Sequence, residues 1–157
     1  MKRKFFNAIV VFAFGATVGS PLLADMKPIN DILSGNYERS YPIVRCAAFY
    51  ASMAEWAGQQ ASEETYNGFK DAVNALVLVG VLVRAETSPD RVEHLREIVI
   101  KDVRAIADLY LENFRLSYAS TGNAWENNPI WTQDMLSCEP LAQAAIQKET
   151  KFRGVNQ

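Results

Sequence analysis

The most constraining feature of the sequence is a long stretch in which apolar residues recur every three or four positions. Seven such residues lie between positions 92 and 114: Val92, Leu95, Val99, Val103, Ile106, Tyr110 and Phe114. This spacing places all seven side chains on one face of an α-helix, and that face must be buried. Ser88-Pro89-Asp90 supplies residue types that favour a helix start. We therefore predict one long helix that begins there and ends near Ser120, before Gly122.

Two further helices are predicted before this one. Pro42 favours the first turn of a helix, which should run to about Ala57 and stop at Gly58. Ser62 can cap another helix, which should reach about Ala85. Small side chains recur along the first of these helices and would let a neighbouring helix approach closely: Ala47, Ala51, Ala54 and Gly58.

The C-terminal part of the chain is predicted to form shorter helical segments. Asn128-Pro129 can open one that runs to about Leu136, and Glu139-Pro140 can open a last one that ends near Lys151. The sequence shows no strand alternation and no second domain. The fold class is therefore all-α, a small bundle of three long helices plus one or two short C-terminal helices.

The first 24 residues have the pattern of a secretory signal peptide. Three basic residues precede the apolar run Phe5–Val18, and Ala24 is a small residue suited to the cleavage site. We expect cleavage after Ala24, a periplasmic location, and a single helical domain over residues 25–157. The alternative, an uncleaved membrane anchor, is disfavoured because a helix that spans a bilayer needs about 20 apolar residues.

Charge and composition exclude several classes of protein. Removal of residues 1–24 changes the formal charge from −2 to −5, which argues against binding of nucleic acid through a basic surface. The chain is 49% hydrophobic and 22% charged, as expected of a folded domain. One His and two Cys are too few for a zinc finger or a His/Cys catalytic metal site. We therefore predict no metal, no cofactor and no stable membrane span in the mature chain.

Cys46 and Cys138 are the only two cysteines. Disulfides persist in exported proteins, so we expect a structural bridge between these two residues. A reactive thiol is the alternative for Cys46, because Arg45 and a nearby helix start would lower the pKa of the thiol. Pairing with another chain is the third possibility. The absence of a CxxC pair leaves a thioredoxin-type role without a motif.

No familiar catalytic motif is present. The sequence lacks HExxH, GxSxG, GxGxxG, the P-loop and the EF-hand loop. His94 is the only histidine, and its neighbours on the predicted helix include Asp90, Glu93 and Glu97. These groups could flank a metal ion, but ordinary surface charges explain them better, since a di-iron bundle requires two Glu-x-x-His motifs.

The run Ala75–Val83 is nine consecutive apolar residues in a predicted helix. A helix that is apolar all round needs cover on every side. Burial in the centre of the bundle is the simplest explanation, and a homodimer or partner interface is the next. A cleft for a small apolar molecule is a third possibility. If the run binds anything, Leu76, Val79 and Val83 are the candidate residues.

Trp125 and Trp131 lie close together in an otherwise polar segment. Tryptophan is enriched where proteins bind their partners, but it also commonly fills the end of a helical bundle. Trp56 and Tyr118 are candidates to join such a plug. Trp125 and Trp131 are therefore candidate binding residues with a structural alternative.

These observations favour an exported helical binding or accessory protein that acts through protein–protein contacts and has no catalytic activity. The partner would be an unknown protein or a second copy of the chain. The alternative is a periplasmic carrier of a small apolar ligand. An enzyme of unfamiliar type is disfavoured, because no constellation of catalytic residues stands out.

The signal-peptide prediction has a direct test. Expression of the full chain in a Gram-negative host should yield an exported protein whose intact mass corresponds to residues 25–157. A mass that still includes residues 1–24 would contradict cleavage after Ala24.

Overall fold

The structure, a computed structural model, describes residues 26–33 and 35–155. Five α-helices follow in order: α1 (Ile29–Ile32), α2 (Tyr41–Ala57), α3 (Glu63–Ala85), α4 (Val92–Thr121) and α5 (Pro129–Val155). These described residues contain no strand, which confirms an all-α bundle. The predicted signal peptide lies outside the described residues. None of the described helices is long and apolar enough to cross a membrane.

The boundaries of α2 and α3 agree with the sequence prediction, and the start of α4 differs. Ser62 caps α3 as expected, since its Oγ accepts a hydrogen bond from the backbone N–H of Thr65 at 3.2 Å. Ser88 instead caps a turn before α4, because its Oγ accepts from the N–H of Asp90. The helix itself begins at Val92 and ends at Gly122, whose φ of +76° suits glycine.

The C-terminal region is one continuous helix of 27 residues, longer than the one or two short helices expected from the sequence. Pro140 lies inside α5 and removes a single backbone hydrogen bond, to the carbonyl of Leu136. The side chain of Leu136 is 70% exposed, so water can reach that part of the helix. Packing on both sides of the proline holds the helix together, because Cys138, Ala142 and Ala145 are all buried.

Helix α2 is the central element and packs against α3, α4 and α5. Seven consecutive residues, 44–50, are buried, so this part of α2 is covered on every side. The apolar run of α3 is covered less completely, since Leu78 is 37% exposed while Leu76 and Val81 are buried. At Gly80, α3 approaches both neighbours closely: a Cβ there would lie 3.4 Å from Val44 and 3.7 Å from Val99.

A buried polar cluster joins three of the helices. Arg45 of α2 donates from Nη2 to Asp134 of α5 at 2.7 Å, and both side chains are almost fully buried. Tyr110 of α4 accepts from Arg45 Nε at 3.0 Å and donates to the same Asp134 carboxylate. A buried charge is tolerated only when it is paired and hydrogen-bonded. We call these three residues the buried polar cluster.

The buried polar cluster also holds the N-terminal segment. The backbone N–H of Ile29 donates to Asp134 Oδ1 at 2.6 Å, and Arg45 Nη2 donates to the carbonyl of Lys27. The side chain of Ile29 is fully buried. Helix α1 is only four residues long, so these contacts, rather than helix propensity, keep it in place.

The disulfide between Cys46 and Cys138 is present, as predicted. Cys46 follows Arg45 in α2, and Cys138 lies one helical turn after Asp134 in α5. Both cysteines are fully buried, so Cys46 is not a free reactive thiol. In the chain-entropy model, closing a loop of this length stabilises a fold by about 4–5 kcal/mol. The covalent bond and the ion pair therefore fix the same α2–α5 junction.

Breaking the buried pair should destabilise the fold strongly. Arg45→Met leaves the Asp134 carboxylate buried and unpaired, so we expect the free energy of unfolding to fall by about 3–5 kcal/mol in urea denaturation. The double variant Arg45→Met/Asp134→Leu should recover part of that loss. Arg39→Met removes an exposed pair with Glu86 and should cost less than about 1 kcal/mol. Equal effects at positions 45 and 39 would contradict this account.

Stability should also fall at alkaline pH. Burial raises the pKa of the Tyr110 hydroxyl well above its ordinary value, and the Asp134 carboxylate raises it further. Because the folded-state pKa exceeds the unfolded value, stability is complete below about pH 10 and is lost as the pH rises through that region. Tyr110→Phe should flatten the decline in unfolding free energy above about pH 10. Phe114→Leu, a core substitution on the same helix that removes no ionisable group, should retain the decline.

Candidate functional site

An aromatic cleft lies at the end of the bundle where α2 ends, α3 begins and α4 leads towards α5. Its volume is about 460 Å³, within the range of known ligand pockets. Four aromatic side chains from three helices and a loop line it: Trp56, Phe69, Tyr118 and Trp125. We call this space the aromatic cleft.

Local backbone features bring these elements together. Gly58, with φ of +48°, ends α2 directly after Trp56 and Ala57, and a short 3-10 turn (Gly58–Gln60) follows. The Ser62 cap then starts α3, which carries Phe69 into the cleft wall. Gly122 ends α4 just after Tyr118, so the loop that follows can fold back over the cleft.

The aromatic wall is anchored in the core. The ring of Trp56 packs edge-on against Phe114 at 5.9 Å and against Tyr118 at 6.0 Å between ring centroids. Phe114 is fully buried, whereas Tyr118 is 56% exposed. The cleft therefore has a rigid wall and an aromatic ring at its solvent edge.

The α4–α5 loop places Trp125 by specific hydrogen bonds. Asn123 Oδ1 accepts from the backbone N–H groups of Trp125 and Glu126, at 2.9 and 3.0 Å. Asn128 is buried and caps α5, since its Oδ1 accepts from the N–H of Trp131 at 3.2 Å. The loop is thus held at both ends by asparagine side chains.

Trp125 and Trp131 stack on one another, with ring centroids 6.0 Å apart and planes inclined by 17°. Both indoles are half-buried, and neither buried Nε1 has a hydrogen-bond partner among the described residues. Trp125 lines the aromatic cleft, while Trp131 packs behind it against the core. The predicted tryptophan pair therefore forms, and one member of it reaches the cleft.

The residues that line the aromatic cleft carry no charged side chain. Gln60, Thr65 and Asn123 supply neutral polar groups, and the remaining lining is apolar or backbone. Two lining residues carry a group that could act as a nucleophile or general base. They are Tyr118, with its phenol, and Thr65, with a weakly nucleophilic hydroxyl. The lining is suited to binding an apolar group.

Other chemistry-bearing residues lie away from this cleft. The buried polar cluster is sealed, because Arg45, Asp134 and Tyr110 are each at most 1% exposed. His94 is exposed and lies 3.9 Å from Glu97. Across the part of the chain that the structure describes, no group of three or more His, Cys, Asp or Glu residues could hold a metal ion.

The other predicted binding residues, on α3, lie outside the aromatic cleft. Leu76 is 1% exposed and belongs to the core, while Val79 and Val83 are half-buried. The cleft instead takes Phe69 from the same helix, two turns before Leu76. The sequence did not single out Phe69, because a spacing of three residues, as between Tyr66 and Phe69, occurs in any amphipathic helix.

Comparisons with known proteins give no further assignment. No protein-family model, no curated protein and no solved structure matches this chain.

Proposed function

We propose that this chain is a non-catalytic binding protein that accepts an apolar side chain of a partner protein in the aromatic cleft. The observation that carries the proposal is the convergence of Trp56, Phe69, Tyr118 and Trp125 around one space of about 460 Å³. Tryptophan and tyrosine dominate the binding energy of many protein interfaces, especially where they surround a pocket.

The solvent edge of the cleft supports a protein partner. Tyr118 is 56% exposed, and Thr65 and Asn123 are exposed at the same edge. An apolar anchor surrounded by polar contacts is the usual arrangement of a protein interface. The stacked Trp125–Trp131 pair supports the cleft from behind, so the wall is already formed before a partner arrives.

A carrier of a small apolar ligand is the second candidate. The cleft volume falls within the range of small-molecule sites, which favours it. Such sites, however, usually bury about 70–90% of their ligand, and this cleft has an exposed edge. The location first considered for a carrier, beside Leu76, is less suitable because Leu76 packs in the core.

Export to the periplasm is part of the same proposal. It rests on the basic and apolar pattern of residues 1–24. The Cys46–Cys138 disulfide agrees with an oxidising compartment, since such bonds are rare in the cytosol. A partner should therefore be sought among exported or envelope proteins.

The proposal is tested by selecting binders from a randomised peptide library displayed on phage. Peptides selected on the folded, disulfide-bonded domain should bind through the cleft, so Tyr118→Ser should weaken their binding at least about tenfold by fluorescence anisotropy. Tyr118 is exposed, so its replacement should leave the thermal midpoint nearly unchanged.

Leu136→Ser is the matched control, because Leu136 is a large exposed apolar residue on another helix. It should leave binding of the selected peptides unchanged. If no selected peptide distinguishes Tyr118→Ser from Leu136→Ser, the cleft is not a protein-binding site. Retention of a small apolar molecule in native mass spectrometry, lost in Tyr118→Ser, would favour the carrier instead.

A further inference from the structure

Four exposed carboxylates lie in the segments that supply the residues of the aromatic cleft. They are Glu55, Glu63, Glu64 and Glu126, which we call the acidic rim. Glu55 precedes the cleft residue Trp56, Glu64 precedes Thr65, and Glu126 follows Trp125. Negative charge is thus concentrated in the same segments as an uncharged aromatic space.

A second groove connects the acidic rim to the cleft. Glu55 and Glu63 line this neighbouring groove, and Ala61 lines both the groove and the aromatic cleft. In the α4–α5 loop, the carboxylate of Glu126 accepts a long hydrogen bond of 3.5 Å from Asn123, itself a cleft residue. The rim therefore includes residues of the neighbouring groove and of the loop that lines the cleft.

No ion pair among the described residues engages the acidic rim. Two basic side chains lie near the rim along the chain. Lys70 lies over the ring of Tyr66 and lines a groove with Glu55, and Arg115 pairs with Glu112. Lys70 therefore offsets part of the charge beside Glu55, and the four carboxylates of the rim together keep a net negative charge.

Helix stability explains only part of the acidic rim. Glu63 and Glu64 lie in the first turn of α3, where negative charge is favourable. Glu55 lies in the last turn of α2, where negative charge opposes the helix dipole and no basic residue of that turn offsets it. Glu126 belongs to no helix, and its carboxylate accepts the long hydrogen bond from Asn123. Helix stability therefore does not account for Glu55 or Glu126.

We infer that the partner presents a positively charged segment, in which lysine or arginine residues flank the apolar side chain that enters the aromatic cleft. This inference rests on the proposed function of the cleft. The apolar anchor would supply most of the affinity, and pairing with the acidic rim would supply orientation and a faster association. Arginine would add contacts with the exposed face of Tyr118.

The test uses the peptides selected from the phage library as synthetic, fluorescently labelled probes. Peptides whose binding depends on Tyr118 should carry net positive charge. The double variant Glu55→Gln/Glu126→Gln should bind them about three- to tenfold more weakly at low salt. The difference in affinity between the double variant and the unaltered protein should shrink at about 1 M salt, where exposed charges are screened. The thermal midpoint should stay unchanged or rise.

The matched control is Glu93→Gln/Glu97→Gln, which changes the net charge equally at the opposite end of α4, about 32–38 Å along the helix from Tyr118. It should leave the affinity at fixed salt nearly unaltered. Cleft-dependent peptides that are neutral or acidic, or that bind both double variants equally, would overturn the cationic partner and leave the proposed function standing. The absence of any cleft-dependent peptide would overturn both.

Discussion

The structure depends on the ion pair between Arg45 and Asp134. A guanidinium and a carboxylate with almost no exposure are stable only if each is fully hydrogen-bonded, and here the partners come from four parts of the chain. Tyr110 of α4, Tyr41 at the start of α2 and the backbone of residues 27 and 29 complete the set. The pair therefore joins α2, α4, α5 and the N-terminal segment, and the neighbouring disulfide links α2 to α5 covalently. Helix α3 takes no part in it and is held by apolar packing and by Arg84, which bridges Glu38 and Asp102.

Packing connects this junction to the aromatic cleft. Tyr110 and Phe114 lie one turn apart on α4 with ring centroids 6.2 Å apart, and Phe114 then contacts Trp56. Trp56 in turn contacts Tyr118 at the solvent edge. A continuous series of aromatic rings thus runs from the buried polar cluster to the aromatic cleft. Because protein interiors are close-packed, a wall fixed in this way keeps its shape without a partner. The opposite wall, at Phe69, belongs to α3 and lies outside the polar junction.

The sequence predicted well the features that depend on neighbouring residues. It predicted poorly the features that depend on distant residues coming together. Caps, glycine stops and apolar spacing act within a few residues, so α2 and α3 were placed nearly correctly. The disulfide followed from there being only two cysteines.

The sequence did not identify α2 as the central helix, because burial depends on the number of neighbouring elements rather than on hydrophobicity. Residues 44–50 of α2 are covered all round although they include Arg45. The sequence predicted a helix start at Pro140, because the tertiary contacts that keep α5 continuous produce no pattern in the local sequence. The cleft combines residues 56, 69, 118 and 125, and no spacing rule links them.

Several features that are unfavourable to folding lie at the cleft end of the molecule. The polar groups of the Arg45–Asp134 pair are satisfied, whereas the indole N–H groups of Trp125 and Trp131 are buried without a partner among the described residues. An unsatisfied buried donor costs about 1–3 kcal/mol. Tyr118 is left half in solvent, and Glu55 opposes the dipole of its own helix. Proteins depart from locally favourable choices mainly at functional sites. These departures agree with the proposed binding role of the aromatic cleft.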